Sequence, residues 1–171
     1  MATTSIGSSG ITYPNGATNG GYINSSTAVA ATSGTSITFT GIPSWAKRIT
    51  VCLDSVKMSG GSALLVRLGT SGGIVSTGYS SSSFTNTVRV YNSTAFTLDN
   101  GNSAFVRSGL LIITYLGNNI WDASGTWGCQ PDQDISWYGG GVTLSGAVTQ
   151  LQIIANGTDT FSTGNVNILW E

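Results

Sequence analysis

Few residues in this chain are of a type that does chemistry. There is no histidine, which removes Ser-His-Asp and Cys-His triads, the usual general base and most zinc sites. Seven carboxylates remain, and three of them, Asp122, Asp132 and Asp134, flank an aromatic segment. Two carboxylates across one cleft are enough for glycoside hydrolysis, and a set of oxygens can hold calcium. Asp before Ala-Ser-Gly, and the run Pro-Asp-Gln-Asp, are however ordinary turn chemistry, and an Asp-x-Asp pair lacks the remaining calcium ligands in any recognisable spacing. Glycine pairs and triplets recur, but none opens a helix where phosphate would sit. The expectation is a protein with no catalytic residues, no metal and no cofactor: not an enzyme.

Trp121, Trp127, Trp137 and Tyr138, with Asp134 beside them, are the one cluster that suggests a ligand. Aromatic faces on exposed loops stack on sugar rings, and neighbouring polar groups hydrogen-bond the hydroxyls. The same rings serve equally to cap a core or fill a subunit interface. Trp45 and Trp170 lie beside strand-like segments and are expected in a core or interface. Cys52 lies in an apolar run, Cys129 is remote, and no Cys-x-x-Cys occurs. Two buried, reduced thiols are expected, which fits assembly in a cytoplasm.

These residues must be positioned by strands. Only 8% of the chain is charged, against about 25% in ordinary soluble domains, and 24 Ser, 23 Thr and 24 Gly take its place. Surface helices need Glu, Lys, Arg and Ala, so this composition favours strands and turns. Disorder is excluded by 40% hydrophobic residues and a net charge of −1. Six scattered Lys and Arg form no basic stripe, so no nucleic acid partner is expected. No apolar run reaches the ~18 residues of a membrane span, and the start, MATTSIGSSG, has no signal-peptide pattern.

Residues 1–33 are nearly uncharged, with Pro14-Asn15-Gly16 as a turn signal. Ile6, Ile11, Tyr13, Tyr22 and Ile23 are too sparse for a core of their own, so this segment is expected to be an extended N-terminal arm that packs on something else. From Thr35 onward a period of two predicts strands in TSITFTGI, KRITVCLDSV and ALLVRLG, separated by glycine-rich breaks. Further strands are expected at 86–92 and 94–99, and at 109–116, where GLLIITYL predicts a central strand buried on both faces. After a turn at Gly117-Asn118-Asn119, a loop with an aromatic centre is expected from Asp132 to Gly141. GVTLSG, TQLQIIAN, a turn at Asn156-Gly157 and NVNILWE complete the chain. Eight to ten short strands without helix predict an all-β, antiparallel, jelly-roll-like β-sandwich over residues 34–171, preceded by the short arm of residues 1–33. Edges so poorly defended by charge point to burial in an oligomer.

Four segments in order resemble a family of bacteriophage structural proteins of the tail-fibre, head-fibre and capsid-decoration type. They are GITYPNGAT (10–18), FTGIPSWAKRITVCLDSVKMSG (39–60), LVRLGTSGGIVSTGY (65–79) and TLSGAVTQLQIIANGTDTFSTGNVNILWE (143–171). Ser162 and Thr163 stand where the family prefers Asp-Ala, and Trp170 where it has Tyr. The resemblance implies a sandwich on the virion surface, often homotrimeric. Its partners would be the major capsid protein or a tail or fibre component. The expected function is capsid decoration, cement or a short head fibre, docked through Ile6, Ile11, Tyr13, Tyr22 and Ile23 and assembled in the bacterial host cytoplasm. The alternative is a tail-fibre-type module that recognises host-surface carbohydrate through Trp121, Trp127, Trp137, Tyr138 and Asp134.

Overall fold

Residues 23–130 and 134–171 are described by a computed structural model. Among them the chain is all β. The strands are β1 (Asn24–Ser25), β2 (Val29–Ala30), β3 (Ser36–Thr40), β4 (Arg48–Met58), β5 (Leu64–Thr70), β6 (Gly73–Ile74), β7 (Tyr79–Thr85), β8 (Val88–Asn92), β9 (Phe96–Thr97), β10 (Val106–Gly117), β11 (Ile120–Gln130), β12 (Ile135–Thr143), β13 (Gln150–Ala155) and β14 (Phe161–Trp170). All their pairings are antiparallel, in two sheets that make a β-sandwich. The larger has the order β1-β14-β4-β10-β11-β12-β7-β8, with β2 also on β14; the smaller has the order β3-β13-β5-β6, with β9 also on β5.

The period-two pattern decides which residues meet. In β4, Ile49, Val51 and Leu53 point inward, and on the smaller sheet Phe39, Leu64, Val66, Leu68, Leu151 and Ile153 point back at them. Each such side chain contributes about 1.5–3 kcal/mol on burial. The segment between β3 and β4, GIPSWAK, crosses from one sheet to the other. Ile42 and Ala46 are buried there, and Trp45 packs half-buried against the core, as does Trp170.

Turns follow the chemistry of their residues. Asn118 and Asn119 both adopt positive φ, 51° and 59°, the geometry of the two-residue hairpin turn that matches strand twist, and they join β10 to β11. At the opposite turn, Asp159 accepts hydrogen bonds from the Ser62 backbone N–H (2.8 Å) and hydroxyl (2.6 Å). These tie the β13–β14 connection to the β4–β5 connection and hold the Asp159 carboxyl below its ordinary pKa.

Three features depart from expectation. Strand β10 is central, but it is buried on one face only: Leu110 and Leu116 are exposed, because among the described residues no layer covers the outer side of the larger sheet. The expected aromatic loop is in fact strand from Ile135 onward. Its three glycines lie within β12, where a Cβ on Gly140 would come 2.3 Å from the Ser80 carbonyl oxygen. The segment 24–31, expected in the arm, already belongs to the sandwich. β1 and β2 pair with β14 and Ala31 is fully buried.

Cys52 and Cys129 are not joined. Cys129 is buried, whereas Cys52 is only half-buried on the outer face, and burial raises its thiol pKa.

Candidate binding surface on the outer sheet face

Alternation along β12 separates the residues of the expected aromatic cluster. Tyr138 points inward and Trp137 outward; the first is buried and the second is 54% exposed. Strand β11 turns both of its tryptophans inward. Trp127 lies edge-on to Phe105, 5.3 Å between centroids, and its Nε1–H donates to the Leu98 carbonyl at 3.0 Å. Trp121 packs tilted against Tyr115. The Tyr138 hydroxyl donates to the Leu110 carbonyl at 2.9 Å, and desolvation raises its pKa. Gly125 makes room for that ring, since a Cβ there would stand 2.6 Å from it.

Trp121, Trp127 and Tyr138 are thus core residues, which corrects their assignment to a carbohydrate surface. A ring packed on both faces has no face left for a sugar. Asp134 is half-buried and its backbone carbonyl accepts from the Cys129 N–H. Of the expected carbohydrate residues, Trp137 alone presents an open ring.

The carboxylate pair also comes apart. Asp122 lies opposite Gly141, and Gly128 opposite Ile135. Asp122 and Asp134 are therefore separated by about 20 Å at the rise of a strand, twice the longest spacing that suits a glycosidase pair and far too much for one cation. Asp132 lies outside the described residues. So do Ile6, Ile11, Tyr13 and Tyr22 of the expected docking arm, while Ile23 is 61% exposed at the start of the sandwich.

In place of the expected cluster, strand register builds a different surface. Cys52, Leu110, Thr126, Trp137, Phe84 and Arg89 stand opposite one another across β4, β10, β11, β12, β7 and β8. At the end of this rung, Phe84 stacks on Trp137 with centroids 5.9 Å apart and 13° between planes. The Arg89 guanidinium lies 5.9 Å from the Phe84 ring centre, a cation–π contact at the outer limit of the useful range.

The next rung carries Ser124, Gly139, Ser82 and Tyr91. Gly139 and Ser82 are small, so a groove of about 410 Å³ opens between the Trp137–Phe84 pair and Tyr91, which is 76% exposed. Among the described residues, no hydrogen bond or ion pair engages the Arg89 guanidinium, the Tyr91 hydroxyl, the Ser82 hydroxyl or the Trp137 indole N–H.

Phe84, Arg89, Tyr91 and Ser82 were not apparent as site residues in the sequence. Their signal is the Asn86-Thr87 turn: with Asn86 at a φ of 56°, a two-residue turn sets Thr85 opposite Val88 and so Phe84 opposite Arg89. No protein-family model matches this sequence, and no curated protein matches it.

Proposed function

We propose that the chain is a non-enzymatic structural protein of a bacteriophage particle, a capsid decoration, cement or short head-fibre protein that docks by its N-terminal arm. The observation that carries this reading is the ordered set of four family-like segments. In the fold the residues of the three described segments supply framework rather than a reactive site. GIPSWAK makes the crossover from β3 to β4, LGTSGG the β5–β6 hairpin, and NGTDTF the Asp159-stapled connection into β14. A chain whose motifs specify its scaffold suits a protein that is selected to be a building block.

Exposed Ile23, Leu110, Leu116 and Ile135 are available for contacts with other subunits. A homotrimer on the virion surface, bound to the major capsid protein or a fibre component, is the assembly proposed. The first described strand, β1, lies at the edge of the larger sheet beside β14.

Deleting residues 2–22 tests the reading. Purified particles are expected to lose the protein almost completely, while the truncated chain keeps the β circular dichroism and cooperative melting of the full one. Normal incorporation of the truncated chain would overturn arm docking.

A further inference from the structure

We propose that the groove between the Trp137–Phe84 stack and Tyr91 binds a saccharide that carries a carboxylate. This goes beyond particle docking and does not depend on it, since an isolated chain would bind equally well. Trp137, Phe84 and Arg89 are directly opposed on three adjacent strands, so the platform is set by a sheet rather than by a loop. Ser82 and Gly139 form the floor, and Tyr91 rises from the next rung.

Apolar ring faces beside a few convergent polar groups are the general make-up of a small-ligand site. The C–H face of a pyranose packs on the aromatic surface, while the indole N–H and the Tyr91 and Ser82 hydroxyls meet its hydroxyls. The polar side-chain atoms among these have no partner within the described chain, so a ligand displaces only water.

Charge complementarity selects the acidic sugar. Among the described residues, Arg89 is the one charged residue lining this groove, and no carboxylate lines it. Elsewhere on the same face Arg48 is held by Glu171 at 3.0 Å, whereas among the described residues Arg89 has only the Phe84 ring. A planar guanidinium so placed offers its fork of donors to a carboxylate. A second protein chain fits less well, because the apolar surface here is one narrow groove with a polar floor rather than the broad patch of a subunit interface.

The test uses the full-length chain with short oligosaccharides of hexuronic acid and of sialic acid, and the same oligosaccharides after reduction of their carboxylates to alcohols. Binding is followed by indole fluorescence and calorimetry. At least one acidic oligosaccharide is expected to bind, and its reduced form about fivefold more weakly or worse. Trp137→Ala should weaken binding by about tenfold or more. Arg89→Gln should erase the difference between acidic and reduced sugar, and Arg89→Lys should keep part of it. Both side chains face solvent, so circular dichroism and the melting midpoint should match the parent and rule out misfolding. The proposal is overturned if no acidic oligosaccharide binds, if the reduced forms bind equally, or if Trp137→Ala binds like the parent. It is also overturned if the chain self-associates with rising concentration and Trp137→Ala disperses it, since the groove would then be a contact between copies.

Discussion

Where β4, β10 and β14 face β3, β5 and β13, the sandwich is filled by Ile49, Val51, Ile113, Ile168, Leu151 and Ile153, all at most 1% exposed. Under β7 and β12 the inner positions include, beside Tyr79, Tyr138 and Val142, the buried polar residues Ser81, Ser83, Thr85 and Ser136. The first region has few polar atoms to satisfy. The second satisfies most of its own: Thr85 and Ser136 share a hydrogen bond of 2.7 Å, Ser136 donates to the Leu98 carbonyl at 2.7 Å, and the Thr97 N–H donates to Ser81 at 3.0 Å.

A fully buried ion pair belongs to this polar end. Arg107 Nε donates to Asp99 at 2.6 Å, while Asp99 also accepts from the Leu64 and Gly101 N–H groups. The Arg107 guanidinium lies over Phe105 and Trp127, 5.4 and 5.6 Å from their ring centres. The comparison teaches that one sandwich uses two kinds of cohesion. Volume filling is tolerant of shape, but a buried polar network depends on every partner being in place.

Arg107→Ala should have the largest effect, because it leaves the Asp99 carboxylate buried without its cation. A loss of about 3–5 kcal/mol in denaturant unfolding is expected; a loss below 1 kcal/mol would show that the polar end is not held by this pair. Ser136→Ala is expected to cost about 1–3 kcal/mol, since the Thr85 hydroxyl loses its partner in a dry site. In the apolar end, Ile153→Val removes one methylene and should cost about 0.5–1.5 kcal/mol. If Ile153→Val proved the more damaging of these two, the contrast between the ends would be broken.

The smallest effect is expected at Asp159, whose polar contacts lie at the surface instead of in the core, and it is read as pH dependence. Its folded pKa is depressed by the Ser62 hydrogen bonds. Its contribution is therefore complete above the unfolded carboxyl value of about 3.9 and is lost as pH falls through the lower folded value. The melting-point difference between the parent and Asp159→Asn should be present at about pH 7 and vanish by about pH 2. A difference that persists in acid would assign the effect to something other than the carboxylate.

The alternation in ITF and ITVCL was legible because one face of each strand is covered, and period two is the direct record of that asymmetry. The hairpin at Asn118-Asn119 was legible because Asn tolerates positive φ. Strand β7, YSSSSFT, was not, since after Tyr79 its inward residues are Ser81, Ser83 and Thr85, of which Ser81 and Thr85 are bonded by groups distant in sequence. The glycines of β12 suggest a loop by composition, yet the close approach of β7 requires them in a strand. Exposure of Leu110 could not be read from GLLIITYL, where both faces are apolar.

By itself the sequence determined that this protein is a histidine-free, charge-poor, all-β chain, because composition and local periodicity are properties of neighbouring residues. Only the tertiary structure decided which aromatics reach solvent. Trp121, Trp127, Trp137 and Tyr138 are alike in composition and close in sequence, but the side a ring takes depends on strand register, and whether that side is dry depends on a second sheet more than a hundred residues away in places. The same registers brought Arg89 beside Phe84 and Trp137, and placed the groove on the outer face of the larger sheet.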